Sequence, residues 1–321
     1  MSSEPSVETR PPSSPSSTSE GGRSIGSRRT GSRSVAQFGM GTAITLSLVP
    51  AVLVFLSFFA VPLVVLVVTA FSDWSGRTID VVGLANFQEL AGDRVFQQAA
   101  VNTLSYIAAG VLIQLPLGVF VGIFLAGRPR GWRTLLAIVF IPYMISGAVI
   151  AMVFTVVYNP RYGLLNVVLG GLDLPSQTDW LASSATARWA VAATFVFTVG
   201  FAAVLVSTEM ASFPGEVFEA ASLDGAAGLR LQRHITVPML RNVIGTLVLL
   251  SVLGNLGAFD IVYILTAGGP ADSTATLMVY GYRAYIAGDW GMANAVGTVV
   301  VGLGLILIVA IRRLFRIGEP V

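Results

Sequence analysis

Ionisable side chains are scarce in this chain of 321 residues, and their positions limit the chemistry open to it. Asp260 is the one carboxylate well inside a long apolar segment, read as running from about 240 to 266, with Asn255 five residues before it and Tyr263 three after. A carboxylate at membrane depth is costly, so it marks a polar contact between helices or subunits, the wall of a solute path, or a proton relay. A single carboxylate without a partner is thin support for a relay. Glu209 falls at the end of the preceding apolar run and is read as interfacial. Nucleotide hydrolysis through a phosphate loop is excluded, because that loop needs a lysine and all 19 basic residues are arginine. With no cysteine and His234 as the lone histidine, neither a disulfide nor a metal cluster is expected. No catalytic residue, metal site or cofactor site is assigned.

The second polar group is a loop between two apolar segments, residues 211–238, holding Glu219, Ala220, Ala221, Leu223, Asp224, Gly225, Ala226, Ile235 and Pro238. Pro214 fits a first helical turn, and Glu216 and Glu219 sit where a helix start favours negative charge. Gly225 allows a sharp turn, and the following AAGLRLQRHI predicts a second short helix before Pro238 opens the next apolar segment. Small alanines let a partner approach, and the carboxylates can pair with its arginines. An ordinary pair of connecting helices with a solvated Asp-Gly turn is the plainer reading of the same residues.

The surroundings are those of an all-α integral membrane protein. The chain is 54% hydrophobic and 11% charged, against roughly 25% charged in soluble domains. Six apolar runs, near 45–71, 99–126, 134–157, 187–210, 240–266 and 291–311, are each long enough to cross a hydrocarbon core of about 30 Å. Fourteen of the 19 arginines lie before the first run, at 128–133, around the Glu219 loop, and at the end. Positive residues stay on the cytoplasmic side, so both termini and the loop are predicted there. The net charge of +2 and the pI near 9.1 express that orientation, and no nucleic-acid partner is expected. Residues 1–38, rich in Ser, Pro, Gly and Arg, predict a disordered cytoplasmic tail. The first apolar run starts too late and is too long for a cleaved signal. The expected divisions are 39–98 (first span and outer loop), 99–313 (five-helix core) and 314–321 (cytoplasmic end). Tyr143, Tyr158 and Trp180 could stack on sugar rings or anchor at the interface. Tyr280, Tyr282, Tyr285 and Trp290 offer further interfacial aromatics, and Gly254 with Gly257 could allow close helix contact.

The order EAA, two residues, DGA, then Ile235 and Pro238 resembles the EAA loop of permease subunits in binding-protein-dependent, ATP-driven (ABC) importers of the carbohydrate-uptake branch. The resemblance covers about Val82 to Arg313. It includes VGLANF, Asn102-Thr103, IPYMISG, YGLLN and FDIVYILTAGGP with Thr274 downstream, the last of these similar to the maltose- or glycerol-phosphate-type first permease. Gln232 stands where that family often has an aromatic residue. The resemblance implies a six-span type I permease fold in a bacterial-type plasma membrane. It also implies a second permease, two ATPase subunits that bind the ATP, an extracytoplasmic solute-binding protein and a sugar-like solute. The loop would be the ATPase-coupling site, and Asn255, Asp260 and Tyr263 would lie along the solute path. A secondary transporter or channel using Asp260 is the competing expectation.

Overall fold

A computed structural model describes residues 40–175 and 177–315. The expected N-terminal tail 1–38 and the end of the chain from Arg316 lie outside the described residues. The chain divides into two compact units, Met1–Phe55 and Leu56–Val321. The described part of the first is one apolar helix, α1 (Met40–Phe55), with Pro50 inside it.

In the second unit, α2 (Val61–Thr69) leads into a two-stranded antiparallel hairpin, β1 (Ser72–Trp74) with β2 (Ile79–Val81), and α3 (Ala85–Gly92). Asp93 then caps α4 (Arg94–Ala109), accepting from the Val95 N–H at 2.8 Å. A π-turn, Gly110–Gln114, joins α4 to α5 (Leu115–Ala126). Next come α6 (Trp132–Met144), α7 (Gly147–Val157), α8 (Leu164–Gly171), α9 (Ser184–Val196) and α10 (Gly200–Met210). The loop holds α11 (Gly215–Leu223), α12 (Gly228–Leu231) and α13 (Val237–Met239), followed by α14 (Arg241–Leu256), α15 (Asp260–Thr266), α16 (Leu277–Ile286) and α17 (Trp290–Phe315).

Among the described residues, four helical stretches are long and apolar enough to cross a membrane: Leu46–Thr69, Arg94–Ala126, Ser184–Met210 and Trp290–Phe315. Two bent pairs, α6 with α7 (101°) and Gly228–Met239 with α14 (72°), bring the number to six if each pair is one span. The run expected to be continuous at 134–157 is therefore broken. Pro142 takes one N–H out of the ladder, the helix ends at Met144, and Ser146 caps the next helix by accepting from the Val149 N–H. The run expected at 240–266 is broken as well. α14 stops at Leu256, and the freed carbonyl of Ala258 accepts from the buried Thr276 hydroxyl at 2.9 Å. A separate short helix begins at Asp260.

Close packing rests on glycines other than Gly254 and Gly257. Among the described residues, a β-carbon at Gly254 would meet nothing within 4 Å, and one at Gly257 would meet only carbonyls of its own segment. Gly118 and Gly122 instead set α5 against Ala202 and Val206 of α10, a small-residue seam of the kind that holds membrane helices together.

The Gly268–Thr276 segment is held from four directions. Asn102 donates to the carbonyls of Asp272 and Ala275, both at 2.9 Å, and accepts from Gln98. Thr103 accepts from the Leu277 N–H, Arg188 donates to the Ser273 carbonyl, and Arg283 pairs with Asp272 at 2.5 Å. The Asn102-Thr103 pair thus anchors the segment that follows GGP. Replacing the fully buried Asn102 with leucine orphans two carbonyls, and about 2–4 kcal/mol of stability should be lost. Thermal unfolding of the N102L protein in detergent, against wild type, checks this. Nearby, the Tyr280 hydroxyl donates to Asp93 at 2.5 Å, and burial followed by that carboxylate raises its pKa above the ordinary phenol value. It remains a donor throughout the physiological range.

Candidate functional site

In the loop, Pro214 takes extended backbone ahead of α11 and does not enter its first turn. Glu216 occupies that turn, where it complements the positive helix end. The helix closes in a Schellman arrangement: the Ala226 N–H donates to the Ala221 carbonyl at 2.9 Å and the Gly225 N–H to the Ser222 carbonyl at 3.1 Å. Gly225 stands at φ +75°, which is why glycine follows Asp224. The second short helix begins at Gly228, passes through a π-turn at Gln232–Thr236, and continues to Met239. Pro238 therefore lies within it and does not open the next span. The 72° bend comes at Leu240, whose side chain is fully buried. Gln232 Oε1 and Thr236 Oγ1 are buried without a partner among the described residues.

Exposure divides the nine loop residues. Glu219, Ala220, Leu223, Asp224, Gly225 and Pro238 are exposed, Ala226 and Ile235 are half-buried, and Ala221 is buried against its own chain. The carboxylates of Glu219 and Asp224 have no partner among the described residues. Leu223 is 89% exposed and Leu229 84% exposed, so an otherwise polar loop displays two bare leucines on either side of its turn. Leu229 was not singled out from the sequence, because a leucine in a short helix reads as core.

The second place is a cavity of about 390 Å³ between the helices, with Gln114, Tyr143, Thr198, Phe201, Ser251 and Asn255 in its wall. Gln114 donates to the Thr198 hydroxyl at 2.8 Å, and the Tyr143 ring stacks on Phe201 at 4.8 Å. Asn255 donates to the Ser251 carbonyl, while its buried Oδ1 has no partner among the described residues. The π-turn at Gly110–Gln114 faces the same region, and a side chain at Gly110 would collide with the Asn255 amide and the Ser251 hydroxyl.

Of the three path residues expected, only Asn255 lines this cavity. Asp260 does not lie inside a continuous span: it opens α15 after the break, exposed, opposite Gly147. Tyr263, one turn on, stacks on Phe259 at 5.1 Å. Tyr158 is buried, donating to the Ala190 carbonyl at 2.8 Å, and Trp180 donates to Asn166, so Tyr143 alone of the three aromatics faces the cavity. Gln114, Thr198 and Ser251 were missed because they are uncharged, although each interrupts an apolar run. Among the described residues no cluster of His, Asp or Glu is placed to hold a metal ion.

Residues 114–317 match the family of binding-protein-dependent transport system inner membrane components. The chain is 34% identical to the probable ABC transporter permease protein YurN of Bacillus subtilis strain 168, over 85% of this chain and 96% of that protein. It is 33% identical to the diacetylchitobiose uptake system permease protein NgcF of Streptomyces coelicolor, over 83% and 84% of the two chains. It is 31% identical to the trehalose/maltose transport system permease protein MalF of Thermococcus litoralis, over 67% and 73%. In fold it matches a chain of a bacterial ABC transporter that imports the acidic polysaccharide alginate, with a TM-score of 0.75 at 21% identity, over 85% of this chain and 95% of that one. The chain belongs to the binding-protein-dependent transport system inner membrane component family, as a multi-pass permease subunit and not an enzyme.

Proposed function

We propose that this permease carries a carbohydrate or related solute across a bacterial-type plasma membrane, forming the path with a second permease. Two copies of a cytoplasmic ATPase bind and hydrolyse ATP and dock on the Glu219–Pro238 loop. An extracytoplasmic binding protein delivers the solute on the opposite side. The observation that carries the coupling role is the pair of bare leucines, Leu223 and Leu229, beside the unpaired carboxylates of Glu219 and Asp224. Apolar side chains so exposed, rimmed by charge, mark a protein contact. Sugar cargo is supported by the names of the relatives and by the cavity, where polar groups stand beside stacked rings as saccharide recognition requires. Solute flow through Asp260 in a secondary transporter or channel is disfavoured by family membership.

The test is ATP hydrolysis by the complex purified through this subunit and reconstituted in lipid, with a sugar panel and the binding protein added. Sugar-dependent stimulation supports the reading, and an intact complex that responds to no sugar removes carbohydrate as cargo. In the same preparation, Asn255→Leu should lower uptake about tenfold or more with the complex intact. It replaces the one buried acceptor left open in the cavity among the described residues by a group that cannot receive a solute hydroxyl. Unchanged uptake by N255L would place the solute path elsewhere.

A further inference from the structure

Six aromatic rings form a continuous row along the Gly268 side of the second unit. Trp74 meets Trp290 edge-on at 5.0 Å, Trp290 stacks on Tyr285 at 6.2 Å, and Tyr285 stacks on Tyr282 at 6.5 Å. Tyr282 meets Tyr263 at 5.1 Å and Phe259 at 5.0 Å, and Tyr263 stacks on Phe259 at 5.1 Å. The rings come from the hairpin, the break before α15, α15 itself, α16 and α17, so no single helical period produces the row. Tyr285 is 57% exposed and the other five are partly exposed. None of the Tyr263, Tyr282 and Tyr285 hydroxyls has a hydrogen-bond partner among the described residues, unlike those of the buried Tyr106 and Tyr158 and of the half-buried Tyr280. A groove of about 290 Å³ runs beside Phe259, Tyr282 and Tyr285, floored by Gly281 and Gly297. The row ends at Phe259, in the break four residues beyond Asn255 of the polar cavity.

We propose that this row is a stacking track for saccharide rings, leading solute from the outer side to the cavity at Asn255. The proposal rests on the carbohydrate reading above. A pyranose has one face of C–H groups and a rim of hydroxyls. Half-exposed rings take the face, Trp290, Tyr285 and Tyr282 lying within 18–27° of their neighbours and Tyr263 within 16° of Phe259 while the two groups meet edge-on, and the open tyrosine hydroxyls take the rim. A lipid chain or a partner helix would use the rings and leave three phenols unsatisfied, which argues for a hydroxylated occupant. Each ring offers a similar surface to the next, so a sugar can advance without leaving one deep well.

The test uses whole cells expressing the complete transporter, with uptake of a panel of mono- to tetrasaccharides read by mass spectrometry. Co-purification of the second permease is measured in parallel. Wild type is compared with Tyr282→Leu, Tyr282→Trp and Tyr285→Leu. Each leucine variant should lower the maximal rate of oligosaccharide uptake about fivefold to tenfold, with a smaller effect on a monosaccharide and with Tyr282→Trp retaining most of the activity. The second permease should co-purify at wild-type level. If wild type takes up sugar and the leucine variants match it, or if Trp at 282 fails as badly as Leu, the track is wrong while the carbohydrate reading stands. Loss of the second permease from the leucine variants would identify the row as a subunit contact and overturn the track. Wild type that imports nothing from the panel overturns the carbohydrate reading, and the track with it.

Discussion

Glu219→Lys should leave the chain inserted and folded yet abolish uptake and release the ATPase. The side chain is exposed and makes no hydrogen bond or ion pair among the described residues, so by itself the substitution moves stability by no more than about 0.5 kcal/mol. The cost appears only against the partner. A carboxylate that meets an arginine in a desolvated socket is worth several kcal/mol when one member is lost, and reversing its sign adds repulsion to the loss. Uptake should fall by about two orders of magnitude or more, because about 1.4 kcal/mol corresponds to tenfold. Solute-stimulated ATP hydrolysis should vanish for the same reason. Gly225→Val tests the same joint from the backbone. A β-carbon there meets nothing within 4 Å, so the damage comes chiefly from the left-handed φ of +75°, at about 1–2 kcal/mol. That strain unwinds the Schellman closure that aims Leu223 and Leu229 outwards. Pull-down of the ATPase and uptake in the same cells check both variants, and normal behaviour of both would show that force enters this permease elsewhere.

The loop was legible in the sequence because its requirements are local. A left-handed residue after a short helix needs glycine, an acidic residue suits a helix start, and both lie within twelve residues of each other. The six apolar runs were legible for a similar reason, since bilayer thickness sets a minimum length that composition alone reveals. The two breaks were not. Pro142 and Ser146 carry a local signal, but a proline within an apolar run is compatible with either a mild kink or a full break. The break at Gly257–Phe259 depends on Thr276, eighteen residues away, whose hydroxyl satisfies the freed Ala258 carbonyl. Hydropathy averages over such an exchange, which is why Asp260 read as the middle of one continuous span when it in fact starts a separate helix after a break. The cavity was hidden for a related reason. Gln114, Tyr143, Thr198 and Asn255 come from four separate helical stretches, and only packing brings them together.

Packing also decides the second large effect. Gly200→Leu should prevent accumulation of a folded permease, and even Gly200→Ala should destabilise it by about 3 kcal/mol or more. A β-carbon at Gly200 would overlap the Val139 carbonyl and the backbone of Phe140, and a backbone neighbour cannot turn aside as a flexible side chain can. Helix α10 would have to withdraw from α6. Those two helices carry Phe201 and Tyr143, whose stacked rings form one wall of the cavity, so the displacement reaches the solute path as well. The parallel seam of α5 on α10 limits the withdrawal, because Gly118 and Gly122 already bring those backbones together and α10 cannot shift without opening that contact. Gly302→Ala is the matched control: it lies within the long helix α17, its new methyl meets nothing within 4 Å, and alanine is the better helix former. Thermal unfolding and detergent-extracted yield should separate the two alanine variants clearly. Equal stability of G200A and G302A would mean that α6 and α10 do not approach as closely in the membrane as the described contact requires, and the cavity between them would have to be wider than 390 Å³.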